Sequence, residues 1–297
     1  VEAFRWPRYW WLNVLLLGFT FLTTTAFGSV LAEDFRLGLT LDTESVYRGY
    51  TRLVHLDRTI WSGLSFSLSL LTILMAHELG HYVACRRWRV DASLPYFLPS
   101  PTLLGTFGAF IRIRSPIYTR TILFDVGASG PFAGFLVLLP FLAAGMWLSR
   151  LAPGVGQRGE FLLSSPLLFR FAEYIRFGPA APANILLHPV AIAAWAGLLA
   201  TAINLLPIGQ LDGGHIIYSL FGEIGHRIVA TAFVGVLVLL GFAYWPWWGW
   251  AVLMFFFGRR HPLVYDSTPL SGWRVTLSAG ALLVFILSIS VIPVATR

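Results

Sequence analysis

Two histidines and a glutamate stand at a spacing that can do metal chemistry: His77-Glu78-Leu79-Gly80-His81. On a helix, positions i and i+4 share a face, so His77 and His81 can offer both imidazoles to one ion. Glu78 is rotated by about 100° from His77, within reach of a metal-held water without having to ligate. That geometry suits zinc hydrolysis, in which a carboxylate takes a proton from the water that attacks a carbonyl.

Two ligands leave a catalytic zinc site unfinished, since a third protein ligand is needed beside a position for water. The downstream run Asn204-Leu205-Leu206-Pro207-Ile208-Gly209-Gln210-Leu211-Asp212-Gly213-Gly214-His215 offers two candidates, Asp212 and His215. Pro207 and the nearby glycines permit an interrupted helix, which would let the Asp212 carboxylate point sideways toward a neighbour. Asp212 could also simply cap a helix that starts near Gly213. Chemistry alone does not reject His215.

The elements that must position these residues are apolar. The chain is 57% hydrophobic and 12% charged, with mean hydropathy +0.72, outside the range of ordinary soluble domains and in keeping with a multi-pass membrane protein. All the basic residues are arginine, and the net charge of +7 reads as orientation in a bilayer rather than as affinity for nucleic acid. The single cysteine, Cys85, excludes an internal disulfide framework and reads as a small apolar helix residue.

In order, Arg5 and Arg8 precede Tyr9-Trp10-Trp11, a basic flank and an aromatic belt. A first span is expected over about 10–31, with no cleavage site of a removable signal peptide. Residues 33–58 read as a polar loop. A second span is expected over 59–85, ending at Arg86-Arg87-Trp88-Arg89, and a third over 122–148. Residues 150–188 read as a Pro- and Gly-punctuated connection. Further spans are expected over 189–206, broken at Pro207, then 228–244, 247–257 and 275–294. The fold class is therefore all-α and polytopic, with about six to seven transmembrane helices. Three units follow: 1–58, the first helix and outer loop; 59–226, the catalytic core; and 227–297, the C-terminal helices.

Arginine placement sets the orientation. With Arg5 and Arg8 in the cytoplasm, the six arginines from Arg86 to Arg120 are cytoplasmic too, as are Arg227, Arg259, Arg260 and Arg274. His81 then lies roughly 8–15 Å inside the cytoplasmic boundary. An ionisable triplet at that depth is costly and marks function.

The pair His77-Glu78-x-x-His81 and Asn204-x-x-Pro207-x-x-x-Leu211-Asp212-Gly213 resembles the signature of the site-2 protease family of intramembrane zinc metalloproteases. Residues 94–135, from Leu94-Pro95-Tyr96-Phe97 through Leu104-Gly105-Thr106-Phe107-Gly108 to Gly134, are similar to the plant EGY-like branch. The resemblance covers roughly residues 60–225. It implies one zinc ion per chain held by His77, His81 and Asp212, Glu78 as general base and acid, and Asn204 handling the substrate backbone. It implies transmembrane protein substrates in a lipid bilayer, with His215 just outside the metal shell. No loop is long enough for the PDZ insertion of some members, so neither that module nor a CBS domain is expected here.

Residues 107–115 alternate, with Ile111 and Ile113 on one face and Phe110, Arg112 and Arg114 on the other, which predicts a strand. A protease holds its substrate extended, and a strand edge can take the substrate as an added strand. We therefore expect a small membrane-associated β-element from Gly105 to Ser115, with Gly105, Gly108, Ile111 and Ile113 binding substrate. A hairpin that only ties two spans together is the plainer alternative.

Smaller expectations concern isolated residues. Asp125 is read either as orienting a zinc histidine or as a helix-terminal charge. Gly127, Gly130 and Gly134 would pack against the motif helix. His188, His226 and His261 read as interfacial, His55 as part of the outer loop, and Tyr244-Trp245-Pro246-Trp247-Trp248 as an aromatic belt. Two other classes use the same residues: an intramembrane metal carrier, which would need repeated halves that the sequence does not show, and a regulatory membrane protein with an inactive site. Absence of a transit peptide and of lysine points to a prokaryotic inner membrane, with the site toward the cytoplasm. Substrate identity, trigger and oligomeric state are not legible.

Overall fold

The computed structural model describes residues 10–55, 57–101, 104–155, 161–179, 184–258, 261–262, 264–266, 268–270 and 272–296. Arg5, Arg8, Arg259 and Arg260, which carry part of the orientation argument, lie outside the described residues.

Among the described residues, four helices are long and apolar enough to cross a membrane: α1 (Trp10–Leu37), α3 (Leu64–Arg87, continued from a 3-10 turn at Arg58–Gly63), α4 (Arg120–Leu148) and α7 (Asp212–Gly241). The amphipathic α2 (Thr43–Val54) lies between α1 and α3. Past α4 come α5 (Leu167–Phe177) and α6 (Pro189–Asn204), and past α7 come α8 (Pro246–Phe257) and α9 (Trp273–Ser288). Among these, α6 and α9 are apolar but shorter.

Helix starts follow local chemistry. The Asp57 carboxylate accepts from Thr59 N–H at 2.9 Å where the 3-10 turn begins. Thr119 caps α4 by accepting from Ile122 N–H, and Pro189 opens α6 at a position whose N–H needs no partner. Pro131 and Pro140 sit inside α4, tolerated because neighbouring helices surround it.

Helices α3, α4 and α6 pack into one layer, flanked by α1 and α7. Its core is Phe27, Phe66, Leu70, Ile73, Leu138 and Trp195, all almost fully buried. Lipid is as apolar as these side chains, so close packing rather than water exclusion holds the layer. Small residues provide it: a Cβ on Gly80 would stand 2.5 Å from the Ser129 carbonyl of α4, and one on Gly145 2.4 Å from Ala191 N of α6.

Among the described residues, six short strands form three antiparallel pairs. β1 (Tyr96–Pro99) pairs with β2 (Thr106–Phe110), β3 (Arg150–Leu151) with β5 (Ile185–Leu186), and β4 (Phe161–Leu163) with β6 (Val294–Thr296). Tyr96 faces Phe110 and Leu98 faces Gly108, with a bulge before Pro99.

Several expectations change. The polar loop at 33–58 contains α2, capped by Asp42, because its apolar residues recur at helical spacing on one face. The connection at 150–188 contains α5 and three of the strands. The helix expected from 228 starts at Asp212 and bends at Gly222, whose φ of 71° takes the backbone out of the helix for one residue. The strand expected over 107–115 ends at Phe110, and beyond it only Ile113 pairs, with Ala92. Trp247 is buried, its indole N–H donating to the Val291 carbonyl at 2.6 Å, so it packs inward rather than lying in a belt.

Candidate metal centre

His77 and His81 lie one turn apart on α3, their rings edge to face with centroids 4.9 Å apart. Asp212 is the first residue of α7, one place after its cap Leu211, so it is not the helix cap. A seven-residue turn, 205–211, brings it back beside α3. Gly213 allows this, since a Cβ there would stand 2.1 Å from the Leu205 carbonyl.

The three side chains meet at a buried point. Asp212 Oδ2 lies 3.1 Å from His77 Nε2 and Oδ1 lies 3.3 Å from His81 Nε2. One donor atom from each lies within 4.8 Å of the others, and no further such group occurs among the described residues.

A cation fits this arrangement. His81 Nδ1 donates to the Val126 carbonyl at 2.7 Å, so a neutral His81 ring carries only a lone pair at Nε2. The Asn204 side-chain amide lies 3.3 Å from His77 Nε2, which as an acceptor also bears a lone pair. Two such nitrogens facing carboxylate oxygens repel unless a proton or a cation lies between them. Two imidazoles and one carboxylate are a donor set suited to zinc.

Helix α4 leaves room for the imidazoles. A Cβ on Gly130 would stand 2.1 Å from His81 Nε2, and one on Gly134 3.0 Å from His77 Cβ. A Cβ on Gly127 would stand 2.7 Å from His215 Cβ, so Gly127 faces α7 rather than the motif helix.

Glu78 is buried beside the triad, and Ile111 lines the same cavity. Two cavities of about 200 Å³ adjoin it. One holds Glu78 together with the triad, Ile111, Ile113 and His215; the other runs between β2 and α6, past Phe107, Gly108, Ala109 and Asn204. Gly108 thus lines the cleft, and Ile111 and Ile113 line the metal cavity. Gly105 packs against α1, where the Thr23 hydroxyl donates to its carbonyl at 2.7 Å.

Residues 65–245 match the model of peptidase family M50.

The chain belongs to peptidase family M50.

This is the family whose paired motifs the sequence carries. Curated M50-like relatives agree with the match. Over 236 residues the chain is 34% identical to the probable zinc metalloprotease EGY1, chloroplastic, of Arabidopsis thaliana, covering 77% of this chain and 43% of that protein. A rice counterpart of the same name is 32% identical over 240 residues, covering 78% and 41%. Identity to the probable zinc metalloprotease EGY2, chloroplastic, of Arabidopsis thaliana is 32% over 217 residues, covering 68% and 36%. The chain therefore spans about two-fifths of the length of these relatives.

Three polar residues sit differently from their sequence readings. Asp125 does not orient a histidine of the triad. It pairs with Arg274 through two bonds of 2.8 and 2.9 Å and accepts from the Trp88 indole at 3.0 Å, tying α4 to α9. The partner that orients His81 is a backbone carbonyl, which no side-chain motif announces. His226 and His261 have partners that the interfacial reading does not include: His226 is buried, and His261 bonds to His215 at 2.8 Å.

Proposed function

We propose that this M50 chain is a zinc metalloprotease that hydrolyses peptide bonds of transmembrane protein substrates within or near the bilayer. One observation carries the reading. Two imidazole nitrogens from α3 and a carboxylate from α7 converge at a buried point that shares a cavity with Glu78. Helices α3 and α7 supply the triad and α4 packs against its imidazoles, and all three are long and apolar enough to cross a membrane. The related chains named zinc metalloproteases support the same chemistry.

A zinc ion held by His77, His81 and Asp212 would supply a Lewis acid that polarises both water and the scissile carbonyl. Glu78 removes a proton from the attacking water and returns it to the leaving amine. Asn204, at the junction of the two cavities, donates its amide to the substrate backbone. A transmembrane helix must unwind to be cut, because its carbonyls are occupied by intrahelical bonds. The edge of β2, on the wall of the cleft beside Glu78, takes the unwound segment as an added strand.

The catalytic unit on this reading is 59–226, with 1–58 and 227–297 as flanking membrane helices. We place the chain in a prokaryotic inner membrane with the site toward the cytoplasm, although the relatives' names are chloroplastic.

The deciding experiment uses Glu78→Gln on the full chain with a membrane-embedded reporter. Zinc stoichiometry stays at one per chain and turnover disappears, as does turnover of the wild type after chelation. A variant that still cleaves at a rate near wild type removes Glu78 from the role of base.

A further inference from the structure

The histidines that the hydrolytic residues leave over form a cluster of their own. His215, one turn into α7, lines the metal cavity. Its Nδ1 lies 2.8 Å from Nε2 of His261, which follows α8. His261 Nδ1 in turn lies 2.7 Å from the carbonyl oxygen of Pro262. A carbonyl only accepts, so the His261 proton sits on Nδ1. The Nε2 of a neutral His261 is then an acceptor, and the proton in the contact between the two rings belongs to Nδ1 of His215. Burial keeps His261 neutral, pushing its pKa down to about 4.

The consequence falls on the far nitrogen of His215. With its proton committed to Nδ1, Nε2 carries a lone pair, and it has no hydrogen-bond partner among the described residues. His81 is fixed in the same way, its Nδ1 spent on the Val126 carbonyl and its Nε2 turned to Asp212. His215 differs in that it is not one of the three residues whose donor atoms gather within 4.8 Å. It stands at the cavity wall as an acceptor rather than as a member of the triad.

The cluster it forms with His261 is held from several sides. Gly127 leaves room for the His215 Cβ, and the Tyr218 ring lies 4.3 Å from that of His261. Tyr218 is itself anchored where its hydroxyl accepts from Val264 N–H at 3.2 Å. The His226 ring closes the cluster, 5.4 Å from His261.

We propose that His215 is a positioning residue for the attacking water, and that His261 fixes the tautomer that makes it one. A water in this cavity has two O–H groups to place. Glu78 takes the first as base, and Nε2 of His215 accepts the second, which turns the oxygen lone pair toward the substrate carbonyl. With the opposite tautomer, Nε2 would donate to that oxygen and occupy the lone pair needed for attack. This rests on the hydrolytic reading above, but the hold of His261 on His215 does not depend on cleavage.

The test is nitrogen-15 NMR of histidine-labelled full chain, metal-free and zinc-loaded, with His215 assigned by the signals lost in His215→Gln. The expected wild-type result is a His215 protonated at Nδ1 in both states. His261→Gln keeps an acceptor oxygen and keeps that tautomer, whereas His261→Leu yields a mixture. On a membrane-embedded reporter, His261→Leu lowers kcat by about 10–100-fold with KM and zinc stoichiometry unchanged, as loss of an outer positioning partner does. His261→Gln restores most of that rate. A wild-type His215 protonated at Nε2 overturns the proposal, and so does a His261→Leu variant with wild-type kcat. Should the wild type cleave nothing, the hydrolytic reading fails, and the tautomer measurement still decides whether His261 governs His215.

Discussion

Gly130 of α4 lies directly against the imidazole of His81: a methyl group at its Cα would stand 2.1 Å from Nε2, the nitrogen turned toward Asp212. The helix that supplies no proposed ligand therefore decides whether one of the ligands can keep its place. Gly130→Ala should push the ring off the Val126 carbonyl and weaken zinc binding by about 10–100-fold, the usual cost of losing an orienting partner. Equilibrium dialysis against a zinc buffer measures this. An alanine variant with wild-type affinity would show that the ring has slack.

Asp125 should matter to stability and not to metal. Asp125→Asn breaks a two-bond contact with Arg274 in which both side chains are largely buried. The expected loss is about 1–3 kcal/mol, read as a lower melting temperature in detergent, with zinc stoichiometry unchanged. Loss of zinc at intact stability would restore the reading in which Asp125 orients a histidine.

Strand addition can be tested without altering the protein. Proline at Ile111 would also disturb the wall of the cavity that holds Glu78 and the triad, so it does not isolate the clamp. A reporter with one backbone ester two residues from the scissile bond removes a single donor. If β2 takes up substrate as a strand, kcat/KM should fall about fivefold, the worth of roughly one net hydrogen bond. Equal rates for ester and amide reporters would leave the β1–β2 hairpin as a tie between α3 and α4.

His261 gives a pH signature. Its folded pKa of about 4 lies below the ordinary value of 6.5. A depressed histidine adds stability above the unfolded pKa, and that contribution is lost as pH falls, because the unfolded chain binds the proton first. Between pH 6.5 and 4 the wild type should therefore lose more stability than His261→Gln, which has no proton to gain. His215 and His226 lie against His261, so the difference between the two chemical denaturation series reports the coupled cluster of which His261 is part. Parallel series would remove His261 from acid destabilisation.

Local chemistry was legible in the sequence. The spacing of His77, Glu78 and His81 determined that two imidazoles share a helix face, because 3.6 residues per turn fixes that geometry wherever the helix packs. The apolar runs determined the long helices for a similar reason, since each is long enough to span lipid by itself. The paired motifs likewise carried the family.

Only the tertiary structure decided what depends on distant chain segments meeting. It brought Asp212 rather than His215 into contact with both motif histidines, across 135 residues of chain. It gave the orientation of His81 to a backbone carbonyl, which every residue type possesses and no motif can encode. Helix α2 and the end of β2 at Phe110 were missed for related reasons. Short elements are fixed by the neighbours they pack on rather than by their own propensity. His261 read as an interfacial residue by position. Its bond to His215, made over 46 residues, exists only once the turn after α8 folds back onto α7.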